Sequence, residues 1–231
     1  MKLPKGLKQG HFVSRVNRFL AVATCEGREV AVHVANSGRM AELFQPGNRV
    51  ILRPEEGVAG RKTRYDLVLV EANGTLVSAD ARLPSTLLRE AIEAGRLPEF
   101  SGFERVESEV TLGDSRIDLL RSSRSGRCYV EAKSVTLVVG GAALFPDAPT
   151  ACGQKHLRSL ISAVSRGHRA AVAFVVQRPD ADVFSPNQAA DPEFCGVLEN
   201  AVRKGVEAYA YTCSGTTKKV AITGNIPVVL S

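Results

Sequence analysis

Apolar and polar positions alternate in short runs through the first 80 residues of the chain. The runs fall at 12–16, 18–24, 29–33, 49–53, 65–71 and 75–79, and their period-two pattern of β-branched and large apolar residues predicts strands. Turn-forming groups separate them: Glu26-Gly27, Asn36-Ser37-Gly38, Gln45-Pro46-Gly47-Asn48 and Ala72-Asn73-Gly74. Five or six short strands in so few residues predict a small β-barrel, and an OB-like barrel is expected over residues 1–80.

After Asp80 the period lengthens. Leu83-Pro84-Ser85 marks a helix start, and Leu87, Leu88, Ala91 and Ile92 share one face of a helix over 86–94 that Gly95 stops. Strands are predicted at 107–112 and 116–121 around Gly113-Asp114-Ser115, and a turn at Ser125-Gly126 leads into a strand over 128–137. Leu157, Leu160, Ile161 and Val164 recur at helical spacing within 154–166. The near-continuous apolar run 169–177 predicts a strand buried on both faces. A helix over 192–204 and a strand over 206–213 complete the order α-β-β-β-α-β-α-β. Residues 81–231 therefore read as an α/β domain with a mixed sheet.

The 231 residues are 44% hydrophobic and 23% charged, which supports a true core and excludes wholesale disorder. Of the net charge of +6, the first 80 residues carry four, with twelve Lys and Arg (Arg61 and Lys62 among them) against eight acids. That balance leans toward polyanions. Arg15 and Arg18 flank Asn17 on the first strand and Arg39 follows the polar turn at 36–38, so these three are the expected nucleic-acid contacts. Trp is absent and other aromatics are few, so contact of Arg and Lys with a phosphate backbone is expected to outweigh base stacking. No apolar run nears the ~18–20 residues of a membrane span. No apolar segment follows Lys2-Leu3-Pro4-Lys5-Gly6, so no signal peptide is expected. The five cysteines lack CxxC spacing and predict neither a disulfide framework nor a zinc site. The chain reads as cytoplasmic, with no membrane partner.

The chemistry concentrates in two adjacent predicted strands. Asp118 lies inside the first, and Glu131 and Lys133 lie two apart on the second, hence on one sheet face. A hairpin brings Asp118 toward Glu131. Two carboxylates that close repel unless a cation joins them, and hard oxygen ligands suit Mg²⁺ or Mn²⁺. The backbone carbonyl of Ala132 offers a further oxygen. Lys133 would orient a water or offset charge growing on phosphorus, and such sites hydrolyse phosphodiesters. Asp118 followed thirteen residues later by Glu-x-Lys is the PD-(D/E)xK nuclease pattern. A cross-strand ion pair is the plainer alternative. The element order favours the nuclease. Glu90 on the preceding helix and Gln154 and Lys155 on the following one are additional candidates for the site, and His156 reads equally as a cap or surface residue and as a catalytic group. A glycosidase would use paired carboxylates without an adjacent lysine.

Longer stretches make the pattern specific: Arg15-Val16-Asn17-Arg18-Phe19-Leu20-Ala21, His33-Val34-Ala35-Asn36-Ser37-Gly38-Arg39-Met40, Gly113-Asp114-Ser115-Arg116-Ile117-Asp118, Val130-Glu131-Ala132-Lys133-Ser134, Phe145-Pro146-Asp147-Ala148-Pro149-Thr150 and Gly153-Gln154-Lys155-His156-Leu157. In these the whole chain resembles the sugar fermentation stimulation protein A family, small prokaryotic proteins associated with DNA binding. The resemblance implies an OB-like N-terminal domain, a nuclease-like C-terminal domain, and Asp118, Glu131 and Lys133 as the catalytic trio. Cys152 stands where the family typically carries Arg, a lost positive charge beside the site. Two functions follow as expectations: a DNA-binding protein with Mg²⁺- or Mn²⁺-dependent phosphodiester hydrolysis, or a non-enzymatic DNA-binding regulator that retains the nuclease fold.

Overall fold

The computed structural model describes residues 1–55, 63–124 and 126–230; Arg61, Lys62 and Ser125 of the expected turn lie outside them. Strands β1 (Lys8–Asn17), β2 (Leu20–Cys25), β3 (Arg28–His33), β4 (Arg49–Pro54) and β5 (Tyr65–Ala72) form the N-terminal sheet, which β6 (Thr75–Ser78) extends beside β5. β1 pairs with β2 and β4, β2 with β3, and β4 with β5. Val32 opposite Tyr65 and His33 opposite Asp66 then join β3 to β5 in parallel and close the barrel. This is an OB domain. Phe12, Ala21, Val32, Leu43, Val50 and Leu52 fill its interior, where Phe12 stacks on Phe44 with ring centroids 5.1 Å apart. A β-carbon at Gly10 would lie 2.2 Å from the Thr24 carbonyl oxygen, so β1 and β2 approach there only because the side chain is missing.

β5 is apolar on both faces for a reason. Leu67 and Val70 fill the barrel, while Val68 and Leu69, with Ile51 of β4, pack outward against α1 (Leu83–Glu93) and the second sheet. A 3₁₀ turn at Pro98–Phe100 leads into β7 (Arg105–Leu112), β8 (Ser115–Ser123) and β9 (Gly126–Val135). After β10 (Val138–Val139) and β11 (Ala142–Phe145) come α2 (Ala151–Ser165), β12 (Arg169–Val176), β13 (Val183–Pro186), α3 (Pro192–Arg203), β14 (Glu207–Gly215) and β15 (Val220–Ile226). The large sheet runs β15-β14-β12-β9-β8-β7. It is mixed: β12 is parallel to β9 and β14, and the outer pairs are antiparallel. β12 is central and buried along nearly its whole length, as its unbroken apolar run requires. α1 covers one face, with Val130, Ala171 and Ala173. α2 and α3 cover the other, with Tyr129, Val172 and Phe174.

The structure corrects the predicted order in four places. β10, β11 and β13 form a separate three-stranded sheet, and β15 adds an edge to the large one. Strands of two to seven residues such as these carry too few alternations to stand out in sequence. β9 ends at Val135, not at 137, because Val138 turns to pair with Ala143. Ser85 lies inside α1, where its hydroxyl donates to the Arg82 carbonyl. Residues at the chain start leave the barrel: Leu3 N donates to Lys218 O at 2.9 Å and Val220 N to Met1 O at 3.0 Å. Among the described residues no helix is long and apolar enough to cross a membrane.

Asp191 ties the two helices of the α2 face together. Its carboxylate caps α3 by accepting from Phe194 N at 2.9 Å and also accepts from Thr150 N at 2.8 Å, the residue that caps α2. Burial pushes the Asp191 carboxyl up, but these amides and Gln154 outweigh burial and hold it below its ordinary range. Its contribution is therefore complete above the unfolded value of roughly 4 and is lost as pH falls through the lower folded value. Asp191→Ala is expected to cost about 1–2 kcal/mol at neutral pH. In urea denaturation the gap between parent and variant should narrow once the pH drops below about 4.

Candidate functional site

β8 and β9 pair antiparallel as far as Leu119 opposite Val130. Beyond that point the Asp118 side chain replaces a strand partner, and its Oδ2 accepts from Ala132 N at 2.8 Å. In a strand a residue's N–H and C=O point to the same edge, so the Ala132 carbonyl also faces Asp118. Glu131 and Lys133 project from the opposite face of β9 to Val130, toward α2. Glu131 is only 2% exposed. Its Oε1 accepts from Lys133 Nζ at 2.5 Å and from His156 Nδ1 of α2, while its Oε2 is buried without a hydrogen-bond partner. His156 Nδ1 and Lys133 Nζ are 3.2 Å apart.

The two carboxyls are driven in opposite directions. Burial, reinforced by the Glu131 charge, pushes Asp118 up to about 6 against the Ala132 amide, Lys133 and His156. Burial acts on Glu131 in the same sense, but Lys133 and His156 together outweigh it and hold that carboxyl below its ordinary range. Among the described residues no group of three or more His, Cys, Asp or Glu is arranged to hold a metal ion. A cation here would rest on the two carboxylates and the Ala132 carbonyl.

A cleft of about 960 Å³ lies between the barrel and the second sheet. Ala132 and Lys133 line one wall; Asn17, Arg18 and Arg39 line the other. Within the lining the polar turn of the barrel touches the loop that follows β11. Asp147 Oδ2 accepts from Met40 N at 2.9 Å, and a β-carbon on Gly38 would lie 2.9 Å from that same oxygen. A side chain at 38 would therefore displace the Asp147 carboxylate from this contact.

The expected site residues divide. Asp118, Glu131, Ala132 and Lys133 come together, and Arg18 and Arg39 stand exposed on the facing wall. Arg15 is in the cleft but occupied. Its guanidinium donates to the carbonyls of Asn17, Arg18, Asn36, Gly38 and Arg39 and lies 4.8 Å over the Phe44 ring. Its donors are spent on holding two turns, which corrects its expected place as a phosphate contact. Glu90 is not brought to the cluster either. It pairs with the Met1 ammonium at 2.6 Å, on the helix that covers the sheet face away from α2. Gln154 is buried, with its amide 3.4 Å from Asp191, and Lys155 is exposed. Sequence reasoning left His156 open between a cap or surface residue and a catalytic group, and the structure puts it on Glu131. Its signal was positional: it precedes buried Leu157 and lies one helical turn before buried Leu160, at the rim of the stripe that faces β9.

Residues 82–219 match the family model described as the sugar fermentation stimulation protein RE domain, and residues 13–79 match the SfsA N-terminal OB domain. A sugar fermentation stimulation protein homolog of Moorella thermoacetica is 46% identical over 231 residues, covering 100% of both chains. One from Citrifermentans bemidjiense is 45% identical over 232 aligned residues, again covering 100% of both. A solved structure of Pyrococcus furiosus SfsA in complex with Ca²⁺ is 32% identical, covers 99% of each chain and superposes with a TM-score of 0.90. With both halves matched and full-length relatives well above 40% identity, the chain belongs to the sugar fermentation stimulation protein family.

Proposed function

We propose that this protein binds DNA in the cleft between its two parts and hydrolyses phosphodiesters there with a divalent cation. In this reading residues 1–80 hold the strand and residues 81–231 cut it. The observation that carries the proposal is the half-buried Asp118 and buried Glu131 held beside Ala132 and Lys133, the two residues that bring this cluster to a cleft whose other wall presents Arg18 and Arg39. The donor set fits a hard cation: one carboxyl pushed up to about 6 by burial and its neighbour, and a second with an orphaned buried oxygen. That the Pyrococcus furiosus relative is in complex with Ca²⁺ supports the fit, since Ca²⁺ also takes oxygen ligands. For hydrolysis the natural ions are Mg²⁺ or Mn²⁺, and either would supply a polarised phosphoryl oxygen and an activated water.

The protein's own groups do the rest. Asp118, Glu131 and the Ala132 carbonyl hold the cation. Lys133, at the cleft surface, places a positive charge where the phosphate gains negative charge. His156 holds Glu131 on the side opposite its free oxygen, so the carboxylate stays oriented. Arg18 and Arg39 position the strand through its phosphates.

Three outcomes test this. Mn²⁺ should raise the thermal midpoint of the parent chain, by mass action on the folded state, and not that of Asp118→Asn; equal shifts in both would remove the cation site. Lys133→Ala should keep Mn²⁺ binding and most DNA retention, yet lose ~10²–10³ in the rate of any metal-dependent cleavage. If the parent cleaves no DNA in Mn²⁺ but still retains it, the protein is the non-enzymatic binder. For the barrel, Arg18→Ala and Arg39→Ala should each flatten the dependence of log affinity on log salt by about one released counterion. Arg15→Ala should instead lower the thermal midpoint, because five carbonyls lose their donor.

A further inference from the structure

Large apolar side chains left in solvent are few among the described residues, and two of them, Val16 (58% exposed) and Phe19 (53%), stand at the β1–β2 turn. Single exposed apolar residues are ordinary, but this turn is unusual in how firmly it is held. Arg15 donates to the Asn17 carbonyl at 3.2 Å and to the Arg18 carbonyl at 2.8 Å. Asn17 Oδ1 accepts from Phe19 N at 2.9 Å, and Phe19 O accepts from Val34 N at 3.0 Å. The backbone under the ring is fixed, while the ring itself is left uncovered. Immediately before it, Asn17 and Arg18 line the cleft, Arg39 adds a second exposed cation on the same wall, and Lys133 lies across.

A rigid aromatic face beside two guanidinium groups matches a ligand that is flat and apolar in one part and anionic at regular intervals in another. A nucleotide strand is such a ligand. In a duplex every base face is already stacked on its neighbours, so only an unpaired base can use the ring. We propose that Phe19 is a stacking platform for an unpaired base of single-stranded DNA, whose flanking phosphates lie on Arg18 and Arg39 as the strand enters the cleft. This rests on the DNA-binding reading above and names its substrate form: a single strand or a frayed end in preference to an intact duplex. It also qualifies the expectation that stacking is minor here, since one well-placed ring serves where aromatics are otherwise scarce.

The chain has no tryptophan, so Phe19→Trp introduces a single indole reporter. With EDTA present to prevent cleavage, a short oligothymidylate should quench that indole, and a blunt duplex of equal length should not. Phe19→Ala should weaken oligothymidylate binding on the order of tenfold, with Phe19→Trp restoring it. Its affinity for the duplex and its thermal midpoint should match the parent. Unquenched indole at saturating single strand, or equal affinities of Phe19→Ala and parent for oligothymidylate, would overturn the platform while leaving DNA binding and cleavage intact. Tighter Phe19-dependent binding of oligouridylate than of oligothymidylate would overturn DNA as the ligand. Failure of the parent chain to bind any strand would remove the DNA-binding reading along with it.

Discussion

Two carboxylates meet where the β8–β9 ladder stops, and the site follows from that one arrangement. Asp118 fills the vacancy of a strand partner by accepting from Ala132 N, which fixes its carboxylate beside Glu131. Glu131 is buried and Asp118 half-buried, so their mutual repulsion is incompletely screened. The protein answers asymmetrically. It gathers Lys133 and His156 on one oxygen of Glu131 and leaves the other oxygen buried and unpaired. A buried acceptor without a donor costs about 1–3 kcal/mol. Nothing in the packing of the sheet requires that cost, because an apolar residue at either position would suit the strand pattern better. The arrangement makes sense for a ligand that supplies positive charge.

Whether that charge can act on a polymer depends on the second constraint, the seating of the barrel. Ile51, Val68 and Leu69 share a core with α1 and the large sheet, so barrel and sheet are joined by apolar burial and not by a polar rim alone. Over that core, Asp147 reaches the backbone of the 36–40 turn, and Arg15 collects the carbonyls of both barrel turns. These polar contacts hold the barrel turns that line the cleft. They explain why Arg15, which looks in sequence like one more basic residue of a DNA-binding strand, is a clamp for the turns that carry Arg18 and Arg39.

Much of this was legible in the sequence. The six barrel runs, the unbroken apolar strand β12 and the helices α2 and α3 follow from periodicity, because each buries one stripe or both faces over enough residues to show a period. The pairing of Asp118 with Glu131 follows from a hairpin and period-two geometry. What could not be read depends on contacts between distant segments. His156 becomes part of the site only because α2 crosses β9 at that height. Glu90 leaves it because the chain start pairs with β15 and delivers the Met1 ammonium to α1. Arg15 and Arg18 differ by three positions and similar chemistry, yet only the turn at 36–39, brought alongside by barrel closure, distinguishes clamp from contact.

The division of labour between the two walls has a thermodynamic consequence. Arg18, Arg39 and Phe19 belong to the barrel, whereas the carboxylates, Lys133 and His156 belong to the second sheet. Under the proposed reading, a strand held by the barrel would reach the carboxylates as an intramolecular neighbour only while the relation between the two parts is rigid, and that rigidity is worth a large effective concentration. Docking through a shared apolar core provides it before any ligand arrives, so ligand binding need not first order the two parts. Arg18, Arg39 and Lys133 are thereby free of any part in joining barrel to sheet, which Asp147 and the shared apolar core carry. Arg18 and Arg39 on the barrel side and Lys133 on the sheet side then give the cleft positive charge from both of its walls, a field that favours a polyanion over a neutral ligand.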